Sequence, residues 1–227
     1  MKLDRSLSNF RDLQEIRLKV KGVEAEALAH DPPLQRIEEG HVLVQVPGLE
    51  SLGSGAVASE EPSLMPYIAT GPFLMSDHAE IQAKSAEILS GVSGRVEAVE
   101  RINQWVFENL RKVPTVGVPN ALEVLRVGQG DCNEHTALFV GLARAAKIPS
   151  RVAAGVVYSD RVSEEAAFFY HAWPEVYFEE AGWVPLDPTF GQFPADATHI
   201  KVVDGGLDKQ IAIMGVMGRL GFEWAVK

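Results

Sequence analysis

Along residues 10–48 apolar and polar positions alternate: Ile16, Leu18 and Val20 are interleaved with Arg17, Lys19 and Lys21, and Val42, Val44 and Val46 repeat the spacing. Successive strand side chains point to opposite faces, so this period of two predicts strands with one buried face. They are too few to make a stable sheet alone. Residues 48–62 (GLESLGSGAVASEEP) are rich in Gly, Ser and Glu and poor in large apolar side chains, the composition of a linker or an exposed loop. The expected organisation is a β annex over 1–48, a linker over 49–72 and a main domain over 73–227.

After Pro72 the period becomes helical. Ser76 or Asp77 is placed to cap a helix running to about Ser90, and Val99, Ile102, Val106 and Leu110 form the apolar stripe of a second helix, closed by Pro114. Asn120, three residues before Glu123, and Gly128 bracket a short third helix. A fourth, ending before Ile148 and Pro149, is apolar almost all round and should be buried along most of its length. Strands follow at 151–158, 168–178, 183–187 and 199–203. Helices first and strands later, at hairpin-like spacing, predict an α+β domain and not a parallel doubly wound sheet.

Composition narrows the chemistry. The chain has 227 residues, a formal net charge of −10, 46% hydrophobic residues and one Cys. The length can bury a core without staples. A single Cys excludes an intramolecular disulfide framework and a Cys-rich zinc module. The acidic balance, without a Lys/Arg stripe, argues against nucleic acid as a partner, and no GxxxxGK[ST] or GxGxxG run offers a phosphate cradle. Residues 1–21 hold six Lys/Arg against three Asp/Glu, which reads as a solvated strand face more readily than as a binding patch. No apolar stretch marks a secretory signal near Met1, and the run 211–217, stopped by Arg219, is far short of the roughly 20 residues of a membrane span.

The strongest chemical signal surrounds the one Cys. In Gly130-Asp131-Cys132-Asn133-Glu134-His135, Asp131 followed three residues later by Glu134 is a capping box, which puts Cys132 at the first helical position. A helix N-terminus carries partial positive charge and unpaired N–H groups, so it favours thiolate over thiol and offers donors to an oxyanion. A thiolate nucleophile needs a proton carrier and an orienting group. His171, Trp173, Glu175 and Tyr177 share one face of a strand, and a short turn at 179–182 leads to Asp187, so Asp187 can lie beside His171 if the register allows. Cys132, His171 and Asp187 are therefore the candidate triad, without cofactor or metal.

The strings GDCNEHTALFVGLARAAKIPSRV, YHAWPEVYF and GWVPLDPTFG resemble the three motifs of the transglutaminase-like superfamily, specifically its bacterial members with a transglutaminase core. The resemblance is sharp over 119–192 and extends loosely from about Phe73 to the C-terminus. It implies the papain-like cysteine-proteinase fold, with Cys132 as nucleophile, His171 as general base and acid, and Asp187 as orienter. The family includes cross-linking transamidases, peptide hydrolases, deglycosylating amidases and members that have lost catalysis. Pro174 departs from the smoother strand of many members. Neither a calcium-loop motif nor length for flanking β-sandwich domains is present. Such bacterial proteins are often exported or membrane-attached, which implies that this chain is a fragment without its leader, its first strands ending a longer β region.

Other readings stay open. His135, one turn after Cys132, competes as base or as a structural neighbour. Asn103, Gln104, Trp105 and Gln129 are candidates near the oxyanion, with Trp105 more a core residue, while Trp173 and Trp183 wall a cleft or fill the core. The polar loop 159–167 is a solvated hairpin or a substrate contact. The leading expectation is a thiol acyl-transfer enzyme acting on an amide bond of a peptide or protein, with water favoured over an amine as acceptor. Its rivals are an inactive binding module and a zinc site made from Cys132, His135 and His171.

Overall fold

The computed structural model describes residues 7, 9–115, 118, 120–160, 166–205, 213 and 215–224. Residues 161–165 of the expected polar loop, residues 1–6 and 8 of the basic start, and residues 211, 212 and 214 of the apolar run lie outside them. The elements are β1 (Glu15–Lys21), β2 (Gln35–Glu38), β3 (His41–Gln45), α1 (Ala79–Ile88), α2 (Arg95–Asn109), β4 (Arg111–Lys112), α3 (Ala121–Val127), β5 (Gln129–Gly130), α4 (Cys132–Ala145), β6 (Ser150–Ser159), β7 (Ala167–Phe178), β8 (Gly182–Pro185), β9 (Ile200–Asp204) and β10 (Gly221–Trp224). Among the described residues no helix is long and apolar enough to cross a membrane.

The chain forms two compact units: Met1–Pro47 with Ala153–Ala172 and Ala195–Lys227, and Gly48–Val152 with Trp173–Pro194. The first strands thus fold with segments from far down the chain. In this first unit β1 is central to an antiparallel sheet of order β10-β1-β3-β2, with Leu18 opposite Trp224 and Ile16 opposite Val44. The alternation in β1 does what its period requires: Ile16, Leu18 and Val20 are buried while Glu15, Arg17 and Lys19 are exposed. They join Val42, Val44, Val156, Tyr158, Phe168, Ile200 and Phe222 in one apolar cluster. The unit also holds the stretches of β7, β6 and β9 that lie side by side in that order, β6 and β9 antiparallel with a register shift at Ala154/Gly155.

The second unit is helical around α4. Leu138, Phe139, Val140 and Leu142 are fully buried and share a core with Val99, Ile102 and Val106 of α2 and with Val176, Phe178 and Val184 of β7 and β8. Burying each such side chain contributes about 1.5–3 kcal/mol. A Cβ at Gly141 would meet the Leu74 carbonyl oxygen at 2.6 Å, so glycine there lets α4 approach the chain preceding α1. Asn120 caps α3 by accepting from the N–H groups of Leu122 and Glu123, and Gly128, at φ 65°, ends it in the left-handed region. The cap of α1 differs from expectation. Asp77 Oδ1 accepts the Thr70 hydroxyl, Ser76 is buried, and His78 Nδ1 accepts the Glu80 N–H instead.

The Gly/Ser-rich stretch before the helices is held by an arginine. Arg95, 2% exposed at the start of α2, donates to the carbonyls of Ala56, Val57, Ala58 and Tyr177 and pairs with Glu179 at 2.8 Å. Five convergent acceptors are what a guanidinium fork can satisfy, and they fix backbone that has few apolar side chains of its own.

Candidate active site

Two hydrogen bonds close the capping box at the start of α4. Asp131 Oδ1 accepts the Asn133 N–H at 2.8 Å, and Glu134 Oε2 accepts the Asp131 N–H at 2.9 Å. A Cβ at Gly130 would meet the Glu134 Cβ at 2.2 Å, so Gly130 is what lets that side chain fold back. The same Oε2 accepts the Thr115 hydroxyl at 2.8 Å. Burial holds the Glu134 carboxyl above its ordinary range, more than these donors pull it down. Cys132 follows at the first helical position, half-buried, on a turn fixed from both sides.

His135 is fully buried one turn on. Its backbone N–H donates to the Asp131 carbonyl at 3.1 Å and its ring Nδ1 meets the same oxygen at 2.7 Å. A carbonyl only accepts, so Nδ1 carries the proton and Nε2 keeps a lone pair, which has no partner among the described residues. Burial lowers its pKa, aided by the Lys112 charge and opposed by the hydrogen bond to Asp131 and the Asp187 and Asp131 carboxylates. His135 is thus a neutral ring tied to its own helix.

Asp187, also fully buried, lies in the second unit just beyond β8. The β7–β8 ladder pairs Glu175 with Pro185 and Val176 with Val184, and the Leu186 N–H reaches the Pro174 carbonyl at 3.0 Å, which brings Asp187 level with Trp173. Its Oδ1 accepts the N–H groups of Thr189 (2.7 Å) and Phe190 (3.0 Å), and its backbone pairs with Gln192 in both directions. Asp187 therefore starts a turn and shapes its own loop. His171 is buried on the part of β7 that belongs to the first unit, two residues before Trp173 and on the same face of that strand. Beside it within that unit is the ring of His199, centroids 5.7 Å apart at 61°.

The remaining residues singled out in sequence separate clearly. Asn103 donates from Nδ2 to the Gln192 carbonyl at 3.2 Å, which ties the Asp187 loop to α2. Gln104 bonds Glu108 on the helix surface, Gln129 accepts from Arg111, and Trp105 packs against the core. Trp173 is fully buried. Trp183 lies between Tyr67 and Tyr177 at 4.7 and 5.5 Å, under the Arg151 guanidinium, whose partner is the buried Glu175 carboxylate at 2.6 Å. His199 escaped the sequence reading because it stands outside the three motifs. The Asp196-x-x-His199 spacing, which suits a tight turn, was its available signal.

Fold and site together define an α+β protein with a partly exposed thiol at a capped helix start, and comparison with known proteins refines that class. Residues 82–188, just under half of the chain, match the model of the transglutaminase-like superfamily. It is 34% identical over 89 residues to the uncharacterized protein YebA of Bacillus subtilis (35% of this chain, 12% of that protein). It is 29% identical over 147 residues to a protein-glutamine gamma-glutamyltransferase of Pseudomonas aeruginosa (61% of this chain, 19% of that protein). The chain thus spans under a fifth of the length of these relatives. A crystal structure of a Cytophaga hutchinsonii protein, provisionally described as a cysteine protease, superposes with TM-score 0.58 at 17% identity, covering 86% of this chain and 78% of that one. The fold is the papain-like transglutaminase-core fold.

Proposed function

We propose that this chain catalyses thiol-dependent acyl transfer from peptide or protein amides, with Cys132 as nucleophile, His171 as proton carrier and Asp187 as its orienter. The observation that carries the reading is the half-buried thiol at the first position of a buried helix with a closed capping box, where the positive end of the helix dipole favours developing negative charge. His171 takes the thiol proton, the thiolate attacks the amide carbon, and the amine leaves with that proton, giving a thioester on Cys132. Water, deprotonated by His171, then releases the acid. In supporting roles, the Cys132 N–H faces the oxyanion and Asn103 steadies the loop of Asp187. His135 is set aside as base because burial disfavours its protonated form and its position on the Cys132 helix leaves little room for a substrate.

Hydrolysis is preferred to transamidation because no dedicated amine site is evident in the sequence. The similarity to the Pseudomonas aeruginosa glutamyltransferase keeps transamidation as the second reading. Incubating the protein and Cys132→Ala with a peptide mixture, with and without an added primary amine, separates them by mass spectrometry. Cleaved or deamidated peptides that need Cys132 support hydrolysis, and amine-ligated peptides support transamidation. No product from a protein that retains its fold returns the chain to a binding module, and zinc found by metal analysis of the purified protein supports a Cys132–His135–His171 site.

A further inference from the structure

The first unit holds a buried histidine that the triad leaves without a task. His199 is 3% exposed and its orientation is over-determined. Its backbone N–H donates to the Asp196 carbonyl at 3.2 Å, and its ring Nδ1 meets the same oxygen at 2.9 Å. Because that oxygen only accepts, Nδ1 bears the proton in the neutral ring. Asp196 is itself fixed. Its Oδ1 accepts the Thr198 N–H at 2.9 Å and the Thr198 hydroxyl, and its Oδ2 pairs with Arg11 at 2.9 Å. One residue along, the Ala197 N–H donates to the Leu13 carbonyl at 2.7 Å, so the turn is anchored to the N-terminal segment. The ring held this way lies edge-on to His171. An apolar residue would fill the same space without an ion pair, a capped turn and a committed ring N–H behind it.

We propose that His199 is a positioning residue for His171: the Arg11–Asp196–His199 turn presents a fixed ring against which the His171 imidazole keeps one orientation as it takes and returns a proton. A strand side chain has alternative χ1 and χ2 wells, and a proton carrier misplaced by about 1 Å can cost a hundredfold in rate. Edge-to-face packing restrains ring rotation without using either nitrogen of His171. This role rests on His171 serving Cys132, and it deepens that reading by adding the element that steadies the base.

A double-mutant cycle tests it, with the rate of Cys132 alkylation by iodoacetamide at about pH 6 as the readout, well below the ordinary thiol value of about 8.5. His199→Asn keeps a donor for Asp196 but loses the ring, and His199→Phe keeps a ring face but loses the donor. The expected result is a fall of about tenfold for His199→Asn and a smaller one for His199→Phe, with neither substitution changing the rate further when His171 is already Ala. Equal falls in both backgrounds would mean that His199 acts on the fold and not through His171, and would overturn the proposal, as would no fall in the otherwise native protein. Thermal midpoints identify a variant that has lost its structure, in which case the other variant decides. If His171→Ala alone leaves the rate unchanged, the Cys132–His171 reading has failed, and the positioning role falls with it by a distinct outcome.

Discussion

Each unit of the molecule contains an aspartate whose backbone carbonyl takes both the N–H and the ring Nδ1–H of a following histidine: Asp131 with His135 at the start of α4, and Asp196 with His199 in the turn before β9. The chemistry of the two pairs is the same and their support is not. Asp131, Glu134 and His135 lie within five consecutive residues, and the capping box is closed inside that stretch with Thr115 as an added donor. Asp196 leans on Arg11 and its turn on Leu13, more than 180 residues earlier in the chain. The helix start is therefore a local device that positions a candidate nucleophile. The turn is a long-range device that fixes a ring beside a candidate base.

Breaking the anchors should show this difference. Asp196→Ala removes the Arg11 pair and the acceptor for Thr198, and is expected to destabilise by about 2–3 kcal/mol, since hydrogen bonds to charged groups contribute about 1.5–3 kcal/mol. Asp131→Ala removes one N-cap acceptor and is expected to cost about 1 kcal/mol. Urea denaturation midpoints measure both, and a larger loss from Asp131→Ala would reverse the assignment of local and long-range support.

The smallest effect concerns acid stability. Burial lowers the His135 pKa below its ordinary 6.5, so below that value the unfolded chain binds a proton that the folded chain refuses. The stability this neutral ring contributes is complete above about pH 6.5 and is lost as pH falls from there through the lowered folded value, at a slope of at most about 1.4 kcal/mol per pH unit. His135→Gln should flatten the fall in denaturation midpoint between pH 7 and pH 5. An unchanged slope would mean that His135 is not the group responsible.

The same contrast explains how much could be read from the chain. The helix starts at Asn120 and Asp131 were legible because cap, acidic third residue and apolar run are contiguous. The cap of α1 was not, because Thr70 engages Asp77 from outside the pattern and leaves the task to His78. β8 stops at Pro185, short of Asp187, because the Asp187 side chain turns the backbone. No local period could reveal that β1 pairs with β10, Leu18 meeting Trp224, or that the chain divides into units assembled from separated segments. Of the candidate triad, sequence found the residue types and their order. The Glu134 support of the Cys132 turn was legible as a capping box, whereas Asn103 on the Asp187 loop and His199 beside His171 needed tertiary structure.

The central claim is that His171 activates Cys132. The most direct measurement is the rate of iodoacetamide labelling of Cys132 across about pH 5 to 9 in the native protein and in His171→Ala. The account predicts rapid labelling of the native protein near pH 6, where an ordinary thiol with a pKa of about 8.5 is almost wholly protonated, and a fall of tenfold or more in the variant. Equal, slow labelling of both proteins at that pH, in samples whose thermal midpoints match, would contradict it.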